Sequence, residues 1–228
     1  PRGVSEQGAE LLTIAAPSGF DQFQLDAGQR LQSPEETPTK SDELIRQDII
    51  RLAPQYGIEI DPPKDAFQQE PQIQITRAGE GDVIDAVGDR YRFLAESKHT
   101  EGAYAIWHAT VYPGGGPPPH IHRREEEAFF VLDGQLRFEA DGQSFLGGPG
   151  TFVNLPVGSQ HRFSNPTDQP ATVLILVAPG GLENMFRQTG TMITDVNEPI
   201  TPPGDDEKHR LFKLAAAYGV ELMLPKQD

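Results

Sequence analysis

Apolar and polar residues alternate through the middle of the chain, a pattern that predicts a series of short β-strands. Glu127 to Leu132 and Gln135 to Glu139 fit two strands joined by an Asp133-Gly134 turn, and earlier strands are predicted at Tyr91 to Ala95 and Ala103 to Tyr112. Turn residues separate these strands at short intervals, which is typical of an all-β sandwich or barrel.

Two other segments have apolar residues at helical spacing. Ser41 to Tyr56 begins with an N-cap serine, carries acidic residues in its first turn and ends before Gly57. Pro54 is expected to kink or end the last turn of this helix. Asp205 to Tyr218 shows the same pattern and ends before Gly219. The sequence therefore predicts a helical tail after the strands.

The two predicted helices belong to an internal repeat whose two copies align at one constant offset without gaps. Ala16 to Asp21 matches Ala178 to Glu183, and Leu52 to Glu59 matches Leu214 to Glu221. The same offset also aligns Gln7, Ala9, Leu12 and Gly28 with Gln169, Ala171, Leu174 and Gly190. Chance similarity between two amphipathic helices would not keep a gap-free register through a strand, a loop and a Tyr-Gly end. Residues 1–63 therefore resemble residues 163–225, the last predicted strand and the helical tail.

Histidines and a glutamate occur at regular spacings between residues 114 and 165. The first half of the pattern is Gly114-x5-His120-x-His122-x4-Glu127-x6-Gly134, and the second is Gly150-x5-Pro156-x-Gly158-x2-His161-x3-Asn165. Alternate side chains of a strand share one face, so His120 and His122 are expected to point inward and Ile121 outward. Three imidazoles and one carboxylate suffice to hold a divalent transition metal with positions left open for a substrate.

The choice of carboxylate rests on spacing, because residues 125, 126 and 127 are all glutamate. Only Glu127 keeps a six-residue gap to Gly134, so it is favoured over Glu126, while Glu125 and Glu126 are expected to be solvated charges. Three further histidines lie outside the pattern and are interpreted as ordinary surface or core residues: His99, His108 and His209.

This two-part pattern resembles the motifs of the cupin superfamily, and the resemblance covers roughly residues 66–228. The closing segment Ala178 to Phe186 and the C-terminal helix are similar to quercetin 2,3-dioxygenase-like proteins, several of which are bicupins. The resemblance implies an all-β cupin fold, a double-stranded β-helix or jelly-roll barrel, with an α-helical C-terminal tail. It also implies one divalent transition metal per complete cupin, iron, manganese, nickel, cobalt, copper or zinc, with O2 and a small aromatic or enolic molecule as substrates. The implied metal ligands are His120, His122, Glu127 and His161, and Glu127 is also the candidate catalytic base.

Together with the repeat, this resemblance predicts a partial bicupin. Residues 1–65 would be the closing strand and helical tail of a truncated first cupin plus a linker at 61–71, and residues 66–228 would be a complete cupin. An unpaired barrel strand would expose Leu11, Leu12 and Ile14. We therefore expect this strand to pack on a missing first-cupin segment or on another subunit, as in a homodimer; a first residue Pro1 rather than methionine favours the former.

Composition narrows the classes of partner. The chain carries 34 acidic and 19 basic residues, a formal charge of −15, which argues against nucleic acid and anionic membranes. There is no apolar stretch of the ~18 residues that a membrane span needs, and the cytoplasm is the default expectation for localisation. With no cysteine, disulfides and thiolate ligands are excluded. The glycine-proline run at 114–119 is not followed by the helix and lysine of a phosphate loop.

Two other functions use the same ligands. A redox-neutral isomerase would use the metal to polarise a carbonyl group of its substrate. Lysine or arginine side chains that face the barrel interior would favour this function. Beyond Arg123 and Arg124, only Arg137 and Arg162 lie close to the motif. A non-enzymatic binding cupin is the other alternative, since one fold hosts many functions. Four apolar strand residues are candidate walls for an aromatic substrate, although the interpretation as ordinary core residues is favoured: Phe129, Val131, Phe152 and Phe163.

Overall fold

The structure is a computed structural model that describes residues 12–15, 18–33, 36–58, 60 and 73–223. It divides into two compact units, one up to Pro71 and one from Gln72 onward. The predicted linker at 61–71, together with the residues before Leu12, lies outside the described residues.

The second unit is built from two antiparallel β-sheets. Its strands are β1 Val83–Ala86, β2 Asp89–Ala95, β3 Ala105–Val111, β4 His120–His122, β5 Glu126–Asp133, β6 Leu136–Ala140, β7 Gln143–Gly147, β8 Phe152–Leu155, β9 Gln160–Ser164, β10 Ala171–Ala178, β11 Thr191–Ile193 and β12 Val220–Leu222. The first sheet has the order β11-β1-β2-β3-β10-β5-β8, and the second has the order β12-β4-β9-β6-β7. The predicted strands are present, with ends shifted by one or two residues, and the predicted all-β cupin fold is confirmed.

The hydrophobic core lies between the two sheets. Phe129 of β5, in the first sheet, packs against Phe138 and Phe163 of the second, with ring centroids 5.4 and 5.3 Å apart. Burial alternates strictly along β3 and β10, as expected for strands with one face on a core. Each fully buried large apolar side chain contributes about 1.5–3 kcal/mol to stability, so this alternation fixes which face of these two strands turns inward.

Four α-helices are present among the described residues: α1 Phe20–Ala27, α2 Asp42–Leu52, α3 Glu183–Thr189 and α4 Asp205–Ala215. Ser41 caps α2 as predicted, since its hydroxyl accepts a hydrogen bond from the Leu44 N–H at 3.3 Å. Pro54 ends the α-helix, and a 3-10 turn follows at Ala53–Tyr56. The predicted second helix is likewise α4 followed by a 3-10 turn at Ala216–Tyr218.

The first unit has a small apolar cluster of its own, formed where α1 crosses α2. Phe23 and Ala27 of α1 are buried with Leu52 and Ala53. Of the closing strand predicted before α1, only residues 12–15 and Ser18 are described, and they form no strand. A strand exists only where a neighbour completes its backbone hydrogen bonds.

Asp89, the first residue of β2, is a fully buried carboxylate. Its Oδ1 accepts a hydrogen bond from the Tyr112 N–H at 3.1 Å, whereas Oδ2 has no hydrogen-bond partner in the structure. Burial raises the pKa of Asp89 from 3.8 to about 7, against the smaller lowering effect of the backbone N–H groups of Tyr112 and Gly116. The carboxyl group is therefore neutral in the folded protein at mildly acidic pH.

Asp89 is expected to make the protein less stable as pH rises from about 4 through 7. The pKa of Asp89 is higher in the folded protein than in the unfolded protein. Its contribution to the free energy of unfolding is therefore complete below the unfolded-state pKa and is lost as pH rises through the folded-state pKa. A change of the pKa from 3.8 to about 7 corresponds to a loss of at most roughly 4 kcal/mol in the free energy of unfolding. In urea titrations from pH 4 to pH 8, the free energy of unfolding of wild type should fall relative to that of Asp89→Asn. A difference between the two proteins that stays constant with pH would contradict this assignment.

No helix in the described ranges is both long and apolar enough to cross a membrane.

Candidate metal centre

Two paired strands of the second sheet bring the three motif histidines together. His120 of β4 lies directly opposite His161 of β9 in the strand register, and His122 is two residues further along β4 on the same face. The three imidazole rings have centroids 4.4 to 5.5 Å apart. Cross-strand pairing therefore explains why two histidines two residues apart and a third much later in the chain form one cluster.

Glu127 reaches the same cluster from β5 in the first sheet. Its Oε2 lies 3.0 Å from Nε2 of His161 and 3.4 Å from Nε2 of His122. One donor atom from each of the four residues can be chosen so that all four atoms lie within 4.8 Å of one another, and all four residues are buried. The exposed neighbour Glu126 takes no part in the cluster.

The outer nitrogens of the three imidazoles are held by acceptors. Nδ1 of His120 lies 2.9 Å from the carbonyl oxygen of Pro118, and Nδ1 of His161 lies 3.1 Å from that of Ser159. A carbonyl oxygen can only accept, so both Nδ1 atoms carry the proton. For His122, the carboxylate of Glu125 stands 3.4 Å from Nδ1. These partners orient the rings and leave each Nε2 free to bind at the centre, as in known metal sites.

A contact within the cluster tests whether a cation fits. With its proton on Nδ1, a neutral His161 has only a lone pair on Nε2, yet that atom is 3.0 Å from a carboxylate oxygen of Glu127. Two lone pairs at this distance repel unless a proton or a cation lies between them. Two ligand atoms bound at about 2.1 Å to one ion, at a right angle, are about 3 Å apart. The residues present therefore fit a divalent metal ion.

The electrostatics of the cluster favour a charged carboxylate on Glu127 and a neutral imidazole on His120. Burial by itself would raise the pKa of Glu127, but His122 and His161 outweigh it and the pKa falls below its ordinary value. Burial lowers the pKa of His120 to about 4, although Glu127 opposes this shift. Burial would likewise lower the pKa of His122, but Glu127 and Glu125 outweigh it and raise that pKa. The negative charge of these two carboxylates therefore favours a positive charge at His122, which a bound metal ion would supply in place of a proton.

One expectation for the residues around the motif is wrong. Glu125, predicted to be a solvated charge, is buried, because the chain turns between β4 and β5 and brings its carboxylate to His122. Ile121, predicted to point away from the histidines, is buried as well, so its face of β4 is also covered. Strand alternation fixes the face of a side chain but does not show what covers that face.

The cluster opens into an apolar cavity. Its volume is about 50 Å³, which is room for roughly three or four water molecules. Besides the histidines 120 and 122 and Glu127, the walls are Val87, Tyr91, Trp107, Pro117, Pro118, Phe163, Ile175, Leu182, Met185, Phe186, Leu211, Val220 and Leu222. No lysine or arginine is among the described lining residues.

Of the candidate wall residues, only Phe163 lines this cavity. Phe129 and Val131 belong to the core between the sheets, and Phe152 is exposed on edge strand β8. Sequence reasoning missed Tyr91 and Trp107 and every wall residue contributed by the helical tail. The indole N–H of Trp107 is buried without a hydrogen-bond partner in the structure, and burial raises the pKa of Tyr91 well above its ordinary value, so its hydroxyl keeps its proton.

The remaining histidines and arginines lie outside the cluster. Nδ1 of His99 accepts a hydrogen bond from the Glu96 N–H at 3.2 Å, and His209 is exposed on α4. Burial lowers the pKa of the half-buried His108. Arg162 pairs with Glu139 on the neighbouring strand, and Arg137 is hydrogen-bonded to Ser144. Arg137 and Arg162 therefore contact side chains of neighbouring strands in the second sheet.

Comparison with known proteins agrees with the fold. Residues 107–177 match the family described as Cupin domain. Quercetin 2,3-dioxygenase of Bacillus subtilis (strain 168) is 29% identical over 116 residues, or 51% of this chain and 34% of that protein. Polyketide synthase CurC of Streptomyces cyaneus is 30% identical over 71 residues, or 31% of this chain and 46% of that protein.

Among solved structures, a sugar phosphate isomerase from a cupin superfamily, from Silicibacter pomeroyi, aligns with a TM-score of 0.41 and 22% identity over 46% of this chain and 75% of that one. The chain spans from a third to just under half the length of the two curated relatives. The family match spans strands β3 to β10 and contains the paired histidines, the glutamate and the third histidine. Residues 107–177 therefore form a cupin domain.

Proposed function

We propose that the second unit is a metal-dependent dioxygenase that acts with O2 on a small aromatic or enolic substrate. The observation that carries the proposal is a cluster of three imidazoles and one carboxylate at the end of an apolar cavity whose walls include aromatic rings. The identity to the Bacillus subtilis quercetin 2,3-dioxygenase supports the same class of reaction.

The proposed metal ligands are Nε2 of His120, His122 and His161 with the carboxylate of Glu127. When bound, one divalent ion such as iron, manganese, nickel, cobalt, copper or zinc would supply Lewis acidity and open positions for substrate and oxygen. The chain itself supplies the orientation of these groups: the carbonyl oxygens of Pro118 and Ser159 and the carboxylate of Glu125 fix the rings. It also supplies an apolar cavity in which electrostatic interactions are strong.

Glu127 is the proposed catalytic base. The histidines hold its pKa low while its carboxylate faces them, whereas burial acts in the opposite direction. A rotation of the carboxylate away from His122 and His161 would remove the lowering effect and leave the effect of burial. In that position Oε2 would take a proton from the hydroxyl of an enol or catechol. The indole N–H of Trp107 and the hydroxyl of Tyr91 are the donors available to orient the substrate oxygens.

The walls restrict the class of substrate. Because no lysine or arginine lines the cavity in the described part of the chain, a phosphate group would lose its hydration without a basic side chain to pair with. This disfavours a sugar phosphate isomerase. The cavity is also far smaller than the several hundred cubic ångströms typical of sites for drug-sized ligands, so a flavonol would require outward movement of the helical tail. A single-ring catechol or enol fits with less rearrangement.

Oxygen uptake tests this proposal. Protein loaded separately with each of the six metals should consume O2 with at least one of them when given single-ring catechols, cyclic enols or flavonols. The single-ring compounds should be the better substrates, and chelated protein should be inactive. If no metal supports uptake across the panel while the metal remains bound, the dioxygenase assignment is wrong, and a redox-neutral isomerase or a binding protein would replace it.

A further inference from the structure

Strand β4, which carries two of the three motif histidines, is paired along its whole length with strand β12. It is only three residues long and lies between β12 and β9 in the second sheet. Its pairing with β9 covers only its first two residues. Its pairing with β12 covers all three, in the register His120 with Leu222, Ile121 with Glu221 and His122 with Val220. The position of the ligand strand therefore depends on β12 as well as on the strand that carries His161.

The backbone of β12 is bonded to β4 at the residue between the two ligands. At one end of the ladder, the Arg123 N–H donates a hydrogen bond to the Gly219 carbonyl at 2.8 Å. Backbone groups along a strand point alternately to its two sides, so the pair two residues further along, Ile121 with Glu221, also bonds across this side. Loss of the bonds of that pair would release β4 at its centre.

The side chains of β12 stand beside the ligand rings. Val220 lies opposite His122 and Leu222 lies opposite His120, and both apolar residues are walls of the cavity. These are the non-hydrogen-bonded pairs of the ladder, in which opposite side chains are closest, with Cβ atoms about 4.5–5.5 Å apart. Val220 is buried. Strand β12 therefore covers the two ligands and closes the cavity beside them.

Few other interactions hold β12 in place. It is an edge strand, and β4 is its only neighbour in the sheet among the described residues. On its outer face Glu221 pairs with Arg123 at 2.6 Å, but both side chains are about half exposed, and such pairs contribute little to stability. An element with few buried apolar contacts and exposed backbone hydrogen bonds opens locally at a low cost in free energy. Apart from the buried Val220, β12 fits this description.

We infer that β12 is a positioning element of the metal centre, and that binding of the ion and pairing of β12 with β4 stabilise each other. An ion requires the two imidazoles of β4 in fixed directions, which β4 keeps only while β12 holds its second side. The ion therefore binds the paired state more tightly and shifts the population toward it. Because Val220 and Leu222 are walls of the cavity, the ion also completes the surface that receives the substrate. The inference rests on the metal ligands of the proposed function and is independent of the oxygen chemistry.

Hydrogen exchange of the wild-type protein measures this coupling without any substitution. The protein is compared after chelation and at saturating zinc, an ion without redox chemistry. Coupling between two sites typically changes an equilibrium by about 5–150-fold, so the backbone amides of residues 219–223 should exchange at least about fivefold more slowly with zinc. Strand β7, the opposite edge of the same sheet, is the matched control and should exchange at an unchanged rate. An unchanged rate in β12, or equal slowing of β7, would overturn the inference.

The substitution Glu221→Pro weakens the pairing of β12 without touching a ligand. Proline lacks the N–H that residue 221 donates to β4, and the side chain that it replaces is exposed. Loss of a group that orients metal ligands typically weakens metal binding about 10–100-fold, so calorimetry should show the Kd for zinc to rise by that factor.

Glu221→Ala is the matched control. It keeps the N–H and removes only the exposed ion pair, so its Kd for zinc should lie within about threefold of the wild-type value. The two variants should also differ more in unfolding temperature with zinc than with chelator, because only the ion couples the pairing of β12 to the ligands. A merely structural role of β12 would lower the unfolding temperature equally in both conditions.

Failure of this inference can be told apart from failure of the proposed function. A wild-type Kd for zinc in folded Glu221→Pro would overturn the inference while the metal centre stands. If that variant does not fold, the exchange rates of the wild-type protein decide. Wild-type protein without affinity for any of the metals named above would overturn both the inference and the proposed function. Absence of oxygen uptake would overturn the proposed reaction, whereas slower exchange of β12 with zinc would still support the inference.

Discussion

Replacing His122 with alanine is expected to lower the metal content of protein purified without chelator from about one ion per chain to a trace. Nε2 of His122 is one of the donor atoms that converge on the proposed ion. Loss of the ring would also leave the carboxylate of Glu125 buried without its partner. The substitution therefore removes a ligand and disturbs a second charged group in the same step.

Elemental analysis of wild type, His122→Ala and His209→Ala measures this effect directly. His209 is exposed on α4, so its alanine variant should keep the wild-type metal content. Circular dichroism would show whether His122→Ala keeps its β-sheet, and thermal unfolding with and without chelator should no longer differ for that variant. Wild-type metal content in a folded His122→Ala protein would refute the ligand assignment.

The sequence predicted the donor residues of the centre because strand geometry links spacing to direction. Two histidines two residues apart share a face, and the glycines and proline at fixed offsets predict the turns between strands. In the structure, Gly134 has φ 75° and a side chain there would stand 2.8 Å from Ala171, while Gly158 has φ 90°. Those positions require glycine, which is why the pattern around the histidines is informative. The choice of Glu127 followed from its spacing to one of these glycines.

The surroundings of the donors could not be predicted in the same way. Glu125 looks like its solvated neighbour Glu126 in the sequence, and only the path of the turn after β4 brings it to His122. Many cavity walls come from α3, α4 and β12, which follow the last motif strand in the chain, and no local pattern connects them to the site. The repeat did predict the tail itself, because it compares two copies of one structure within a single chain.

Replacing Glu127 with glutamine is expected to lower the rate of oxygen uptake by about 10²–10⁴-fold, the usual contribution of a general base. Glutamine keeps the shape of the side chain but cannot accept a proton, and it removes the negative charge that the three histidines stabilise. If Glu127 were a ligand alone, the rate would recover when the variant is saturated with metal. If Glu127 is both a base and a ligand, the rate of the variant should stay low when every site holds a metal ion, and its affinity for the metal should also be reduced.

Glu126→Gln is the matched control, since it makes the same chemical change at the adjacent, exposed position. Its metal content and rate should equal those of wild type. The decisive measurement is the rate per bound metal ion in both variants over a range of metal concentrations, so that loss of occupancy is separated from loss of proton transfer. Equal rates per bound ion in Glu127→Gln and wild type would mean that Glu127 is only a metal ligand and that another group accepts the proton. A slow Glu126→Gln beside a normal Glu127→Gln would reverse the choice that the spacing favoured, because the two carboxylates differ only in which face of β5 they occupy.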